Sequence, residues 1–351
     1  MIEFFSEHFN DLQLWLFETV VQPLVFAAGG GNLLEDAFDA TGWLLVGLLQ
    51  IAVMLTLIKA LERWRPVEPV RDRAAVREDM LYTVIHRLGL FRLVMFFSLD
   101  PLWDALAGEM RLAGLPTFQL DALWPGVTDI GWVSFAIYLV VFDFADYWIH
   151  RGQHGLGCWW SLHSLHHAQR QMTMWSDNRN HLLDDLLRDS LLVLLAQVIG
   201  VAPGQFVALV AITQLSESLQ HANLRLGFGR VGERLWVSPR FHRLHHSIGL
   251  GHETGPEIPV RWARSAAGPP QGDEAPSGGS AVHEVTSVGA RLGGHNFGVL
   301  LPWWDVLFRT ASFEVRYDRT GVRDQIEHGR DYGRGFWSQQ WLGLKRLAGR
   351  G

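Results

Sequence analysis

"HRGQHGLGCWWSLHSLHH", residues 150–167, places five histidines within eighteen residues. It ends on an H-x-x-H-H pattern, and HRLHH at residues 242–246 repeats that pattern. On a helix, positions i, i+3 and i+4 lie on one face, so each stretch would present its imidazoles in a common direction. A single histidine is usually an ordinary core or surface residue, but a set of this size predicts a metal site.

The number of histidines indicates more than one metal. The two repeats and the leading H-x-x-x-H pair hold eight imidazoles, whereas one zinc takes three or four protein ligands. Imidazole suits iron, zinc, copper or nickel, so the ligands alone do not choose the element. A carboxylate can balance the charge of such a site by accepting the second N–H of a ligand, and we assign this catalytic role to Asp146.

Apolar residues are gathered into long runs, which indicates a membrane protein. The uncharged run at 42–58 is just long enough to cross a bilayer as a helix. Three more apolar runs lie at 130–141, 186–201 and 206–215. Together with the first, they predict about four membrane spans. GVAPGQ predicts a tight hairpin between the last two. The run at 80–99 carries His86, Arg87 and Arg92, so we expect it to face protein.

Charge predicts the orientation and excludes some partners. Residues 1–58 contain no lysine or arginine, whereas residues 59–79 contain one lysine and five arginines. Basic loops stay in the cytoplasm, so the N-terminus should face outward and the histidines inward. A net charge of −6 argues against a nucleic-acid surface. We therefore predict an all-α fold, a polytopic membrane helical bundle with a cytoplasmic histidine-rich cap that holds two metals.

Further motifs follow the first in a fixed order along residues 130–310. They read DFADYWIHRGQH, SLHSLHH, RNH, QHAN, SPRFHRLHHS and HNFGVLLPWWDVLFRT. In this order they resemble the fatty acid hydroxylase superfamily, also called the sterol desaturase family, of integral-membrane di-iron enzymes. The chain departs from the family pattern in two places. Nearly fifty residues separate HRLHHS from HNFG, and Arg309 stands where glycine is typical.

The resemblance implies which residues hold the metals. The implied ligands are His150, His154, His163, His166, His167, His181, His221, His242, His245, His246 and His295. It also implies a domain organisation around them. The expected segments are an N-terminal interfacial segment at 1–41, membrane helices and loops at 42–129, a hydroxylase-like domain at 130–310 with a flexible insertion at about 253–292, and a C-terminal tail at 311–351.

The implied activity is oxygen-dependent attack on an unactivated C–H bond of a lipid in the cytoplasmic membrane. It implies two irons, O₂ as co-substrate and an external electron-donor protein, because the chain shows no flavin, haem or nicotinamide fingerprint. Hydroxylation, desaturation and ether cleavage share this ligand set, and the substrate could be a fatty acyl, sterol-like or ether lipid. A zinc-dependent membrane hydrolase with a bound water as nucleophile is the alternative. A metal transporter fits less well, because the histidines cluster beyond the apolar runs on one side.

Overall fold

The computed structural model describes residues 2–92, 95, 99–114, 118–248 and 294–350. Within these ranges the chain is helical, and its extended pairing is limited to one antiparallel bridge between Ser247 and Thr320. The predicted all-α fold is therefore confirmed. The predicted insertion at about 253–292 lies outside the described residues.

The helices of the described ranges lie in the following order along the chain. They are α1 (Ile2–Leu16), α2 (Gln22–Ala27), α3 (Leu34–Val53), α4 (Lys59–Trp64), α5 (Arg73–Arg87), α6 (Asp100–Leu112), α7 (Gly131–Gly155), α8 (Gly157–His167), α9 (Leu182–Ile199), α10 (Pro203–Gln220), α11 (Gly229–Gly232), α12 (Pro239–His245), α13 (Trp303–Leu307), α14 (Asp324–Glu327) and α15 (Phe336–Leu347). π-helical turns at Phe17–Val21 and Met54–Ile58 continue α1 and α3.

Among the residues that the structure describes, two helical stretches are long and apolar enough to cross a membrane. They are Gly31–Trp64, which runs from a 3₁₀ turn through α3 to α4, and Gly131–Gly155, which is α7. The other two predicted spans form α9 and α10, and charged residues at the start of α9 keep that helix from being uniformly apolar. The hairpin between them is confirmed: α9 ends at Gly200, in the left-handed conformation with φ 69°, and Pro203 begins α10.

Buried contacts fix the helices around one interior. Tyr138 and Phe142 of α7 pack with Ile199 and Leu209, which joins α7 to the α9–α10 hairpin. The prediction that residues 80–99 face protein holds for Arg87, which is buried at the end of α5. Its guanidinium donates hydrogen bonds to the Asp177 carboxylate, 2.7 Å away, and to α10. These contacts hold α5 against the helices that carry the histidines.

Candidate metal centre

Four helices bring their histidines to one place. α7 ends with His150 and His154, α8 and α12 carry the two H-x-x-H-H stretches, and His221 caps the end of α10. We call the region formed by α8, α12 and the ends of α7 and α10 the histidine cap. Eight of the eleven predicted ligands form two buried groups, in each of which the ligand atoms lie within 4.8 Å of one another. The groups are His150, His154, His167 and His245, and His166, His221, His242 and His246.

The second group has the spacing of metal ligands. The Nε2 atom of His221 lies 3.1 Å from that of His166 and 3.0 Å from that of His242. The Nε2 atoms of His242 and His246 are 3.1 Å apart. A ring nitrogen carries either a hydrogen or a lone pair, so this chain of contacts cannot be a series of ordinary hydrogen bonds. Two ligands at a right angle on a metal with bonds of about 2.1 Å would be about 3.0 Å apart.

The other ring nitrogen of several histidines is held by the protein. His150 Nδ1 donates to the backbone oxygen of Phe297 at 2.8 Å, and His245 Nδ1 donates to that of His295 at 2.7 Å. His221 Nδ1 donates in the same way to Glu217, one helical turn earlier. A hydrogen on Nδ1 leaves the lone pair on Nε2, so these contacts prepare each Nε2 to bind a metal.

The HNFG segment supplies two of these carbonyls and is itself rigidly held. Asn296 adopts a positive φ of 60°, and its side-chain amide donates to Phe241 O and Ser312 O. The Asp305 carboxylate accepts the backbone N–H groups of Phe297 and Gly298. Asp143 of α7 similarly accepts those of residues 300 and 301. The motif therefore positions ligands through its backbone.

His163 lies beside both groups. Its ring centroid is 5.1 to 5.4 Å from those of His150, His154, His166 and His167. Its Nδ1 hydrogen-bonds the Asp184 carboxylate at 2.9 Å. Its Nε2 is buried and has no hydrogen-bond partner among the described residues. His163 thus has the orientation of a ligand, although it falls outside the two groups.

His181 and His295 occupy different surroundings from the eight grouped histidines. His181 caps the start of α9, where its Nδ1 accepts the Leu183 N–H at 3.1 Å, and its Nε2 donates to Gln340 O at 2.9 Å. Both of its ring nitrogens are therefore engaged by protein, and the geometry does not support its predicted role as a ligand. His295 also lies outside both groups, and what it contributes is the backbone oxygen that orients His245.

Asp146 has a different partner from the one that the sequence predicts. Its carboxylate accepts a hydrogen bond from Arg188 Nε at 2.9 Å, rather than the second N–H of a ligand histidine. The carboxylate that accepts the second N–H of a histidine is that of Asp184, which forms a hydrogen bond with His163. Asp184 also accepts hydrogen bonds from Gln153 and Trp159. Sequence reasoning missed Asp184 because 21 residues separate it from His163.

A cavity of about 100 Å³ adjoins the histidines. On one side it is lined by His150, His163, His166, His221 and His242. Its other walls are strongly acidic, with Asp146, Asp177, Asp184, Asp185, Asp189 and Glu217 around Arg188. The cavity is therefore lined almost entirely by polar side chains and adjoins members of both histidine groups.

Burial keeps three histidines of α12 and its C-terminal end neutral. It lowers the pKa of His242, His245 and His246 well below the usual value, and neighbouring imidazoles lower it further. Neutral imidazole is the form that binds metals, so at neutral pH these residues are ready to act as ligands. The residues present thus fit two metal ions in both number and protonation.

Comparison with known proteins identifies the region around this site. Residues 135–262 match the family model for fatty acid hydroxylases. The ornithine lipid hydroxylase OlsE of Rhizobium tropici is 24% identical over 222 residues, which cover 63% of this chain and 65% of that protein. No solved structure matches the chain. These matches confirm the resemblance carried by the motifs, and with the two apolar helices they indicate association with a membrane.

A second relative matches only a short piece of the chain. It is a UDP-N-acetylglucosamine–N-acetylmuramyl-(pentapeptide) pyrophosphoryl-undecaprenol N-acetylglucosamine transferase of Polaromonas sp.. The match is 65% identical over 40 residues, but it covers 9% of this chain and 10% of that protein. Such a local similarity supports no functional inference.

Proposed function

We propose, from the membership of residues 135–262 in the fatty acid hydroxylase family, that this protein is an oxygen-dependent di-iron enzyme that hydroxylates a membrane lipid. The observation that carries the proposal is the pair of adjacent, buried groups of four histidines. Two irons held there would supply the activation of O₂ that attack on an unactivated C–H bond requires. One oxygen atom enters the product as a hydroxyl, and the other leaves as water with two electrons and two protons from an external donor.

The chain's own residues have distinct tasks in this proposal. His150, His154, His167 and His245 hold one metal, and His166, His221, His242 and His246 hold the other. The carbonyls of the HNFG segment keep the ligand nitrogens of His150 and His245 turned inward. Burial of the whole set excludes bulk water, which protects a reactive centre from side reactions.

The cavity favours a lipid whose polar part carries a positive charge. Six acidic side chains line the cavity. Arg188 pairs with Asp146 and lies 3.7 Å from Glu217, and Arg87 pairs with Asp177, so the acidic excess comes from the remaining carboxyl groups of the wall. The relative from Rhizobium tropici is named for ornithine lipid, and ornithine contains an amine. An amine would be stabilised beside these carboxylates, whereas a sterol-like substrate offers no cation to them. Hydroxylation of such a lipid, rather than desaturation, is therefore our proposal.

The site is proposed to face the cytoplasm from the cytoplasmic membrane. The absence of lysine and arginine from residues 1–58 and their abundance in residues 59–79 support this orientation. A cytoplasmic site is also accessible to a soluble electron-donor protein. The proposal needs such a donor because the chain contains no fingerprint of a redox cofactor of its own.

Isotope labelling tests the proposed reaction. The protein is expressed in a host that lacks it, cells are grown under ¹⁸O₂, and the lipids are analysed by mass spectrometry. We expect a lipid hydroxyl that carries ¹⁸O, and we expect it to be lost when His245→Ala is expressed at the same level. A product whose new oxygen comes from labelled water, formed equally well without O₂, would instead assign the protein to the zinc hydrolases.

A further inference from the structure

Helix α15 turns polar side chains toward the protein and apolar side chains outward, which is the reverse of an ordinary surface helix. The face turned toward the protein is polar, with Gln339 and Gln340 only 1% and 8% exposed. The face turned outward carries Trp337 and Trp341, which are 79% and 59% exposed. Burying amides while exposing indoles would be unfavourable in water, because a surface helix normally turns its apolar stripe inward.

The inward contacts fix the rotation of this helix. Gln340 donates to Asn180 O at 3.0 Å, and its side-chain oxygen accepts the Leu182 N–H at 2.8 Å. Gly343 lies directly against the His181 ring, where an added Cβ would be 2.2 Å from the nearest ring carbon. α15 therefore cannot rotate to bury its tryptophans without losing these contacts.

The outward face has the composition of a membrane interface. Trp337, Trp341 and Leu344 follow the i, i+4, i+7 spacing of one helical face, and all three are exposed. Lys345 lies beside them, with its ammonium 5.8 Å from the Trp341 ring centre. Tryptophan is favoured at the level of lipid headgroups, and a neighbouring lysine can reach anionic lipid phosphates.

We propose that α15 lies in the membrane interface, with Trp337, Trp341 and Leu344 inserted at the boundary between lipid headgroups and acyl chains. The bilayer is the partner that the composition fits, since the same chain carries two helices able to cross it. The basic side chain of Lys345 complements anionic headgroups. This proposal rests on membrane association alone and does not depend on the reaction that the site performs.

Contact between α15 and the bilayer would set the depth of the metal centre relative to the lipid headgroups. α15 packs along α8, which carries His163, His166 and His167. Arg346 also donates from Nε to the backbone oxygen of Ser161 at 3.0 Å. A helix held at the lipid surface on its outer face and joined to α8 on its inner face would keep the histidines at a constant distance from the headgroups. A lipid substrate would then meet the site at one position along its length.

Site-directed labelling tests this placement. Cys158 is the only cysteine, so a Cys158→Ser background allows single cysteines to be introduced. Trp337→Cys and Trp341→Cys are labelled with an environment-sensitive fluorophore in nanodiscs that contain anionic lipid. The matched control is Glu314→Cys, because the Glu314 side chain is 52% exposed beside the ionic partner Arg316. Bound metal, measured in every variant, verifies that the site is folded.

We expect spin-labelled lipids to quench the labels at positions 337 and 341 several-fold more than the label at position 314. Iodide in the water should show the reverse order. Equal quenching by iodide at all three positions would place α15 in water and overturn the proposal. Labels at 337 and 341 that are shielded from both quenchers would indicate a protein partner or a second copy, which also overturns it.

Discussion

At the scale of single residues, what distinguishes the histidines is the partner of each ring nitrogen. The Nε2 of His246 faces His242 within the second group, and its Nδ1 has no hydrogen-bond partner among the described residues. His181 instead uses one nitrogen to cap α9 and the other to bind the backbone of α15. The same residue type is therefore a proposed metal ligand in one place and part of a helix junction in the other.

Substitution of these two histidines should separate the roles. His246→Ala should remove at least half of the iron from protein purified anaerobically, because one of the two groups loses a ligand. His181→Ala should retain nearly all the iron but lower the melting temperature, since losing a helix N-cap costs about 1 kcal/mol. Iron analysis and thermal unfolding measure the two effects.

The matched control for this pair is His181→Asn, because asparagine is among the best N-cap residues. It should restore part of the stability lost in His181→Ala. If His181→Ala lost as much iron as His246→Ala, then His181 would have to be a ligand, and the assignment from its hydrogen bonds would be wrong.

The spacing of the histidines predicts which imidazoles share a helix face, because helical periodicity is local, but it does not predict that each H-x-x-H-H stretch supplies both groups. His163, His166 and His167 lie on one face of α8, as H-x-x-H-H predicts. The residues that orient the ligands could not be found in this way. Asp184 and the carbonyls of residues 295 and 297 come from distant parts of the chain, and only the folded structure brings them to the imidazoles.

At the scale of elements, the packing of α3 against α5 depends on one glycine. A Cβ at Gly47 would lie 1.7 Å from the backbone oxygen of Arg87. Backbone atoms cannot move aside as a flexible side chain can. This close approach also holds Arg87, whose guanidinium reaches Asp177 at the wall of the cavity.

Gly47→Ala should therefore destabilise the protein, by about 1–3 kcal/mol or more, as overpacking of a core usually does. The matched control is Gly108→Ala in α6, where an added Cβ meets no atom within 4 Å. That change should be neutral or stabilising by roughly 0.5–1 kcal/mol, because alanine favours a helix. Thermal unfolding in detergent compares the variants, and an equal effect of both would show that the α3–α5 contact is looser than described.

Sequence patterns revealed some elements and missed others for identifiable reasons. The α9–α10 hairpin was predictable because Gly200 and Pro203 are strong local signals at helix ends. No helix was predicted over residues 336–347. Its inward residues Gln339 and Gln340 are polar, so the sequence shows no apolar face that belongs to a protein core.

At the scale of the whole molecule, contacts show which helix ends share a face. Glu62 of α4 accepts the backbone N–H groups of Met174 and Asn223, so α4 ends at the histidine cap. The start of α5 is also there, because Arg179 donates a hydrogen bond to the backbone oxygen of Ala75 at 3.1 Å. The opposite face holds the α9–α10 turn, where Phe118 N–H donates to Val198 O.

The described helices run between these two faces. α3 with α4 runs toward the cap, α5 leads away from it, α7 runs toward it, α9 leaves it and α10 comes back. Residues 1–30 then belong to the face opposite the cap, while the basic residues 59–79 belong to the cap face. Because basic loops remain in the cytoplasm, the proposed orientation requires the basic residues and the histidine cap to share a face, as they do here.

Reporter fusions test this orientation directly. Alkaline phosphatase inserted after Gly30 of the full chain should be active, because that enzyme works only outside the cytoplasm, and green fluorescent protein inserted there should be dark. After Gly349 the two reporters should give the opposite result, because α15 packs on α8 in the histidine cap. Replacing several arginines of residues 59–79 with glutamine should weaken the preference for this orientation, since the positive charges determine which loops stay in the cytoplasm. Active phosphatase after Gly349 would place the cap outside, where a cytoplasmic electron donor could not reach the metal centre.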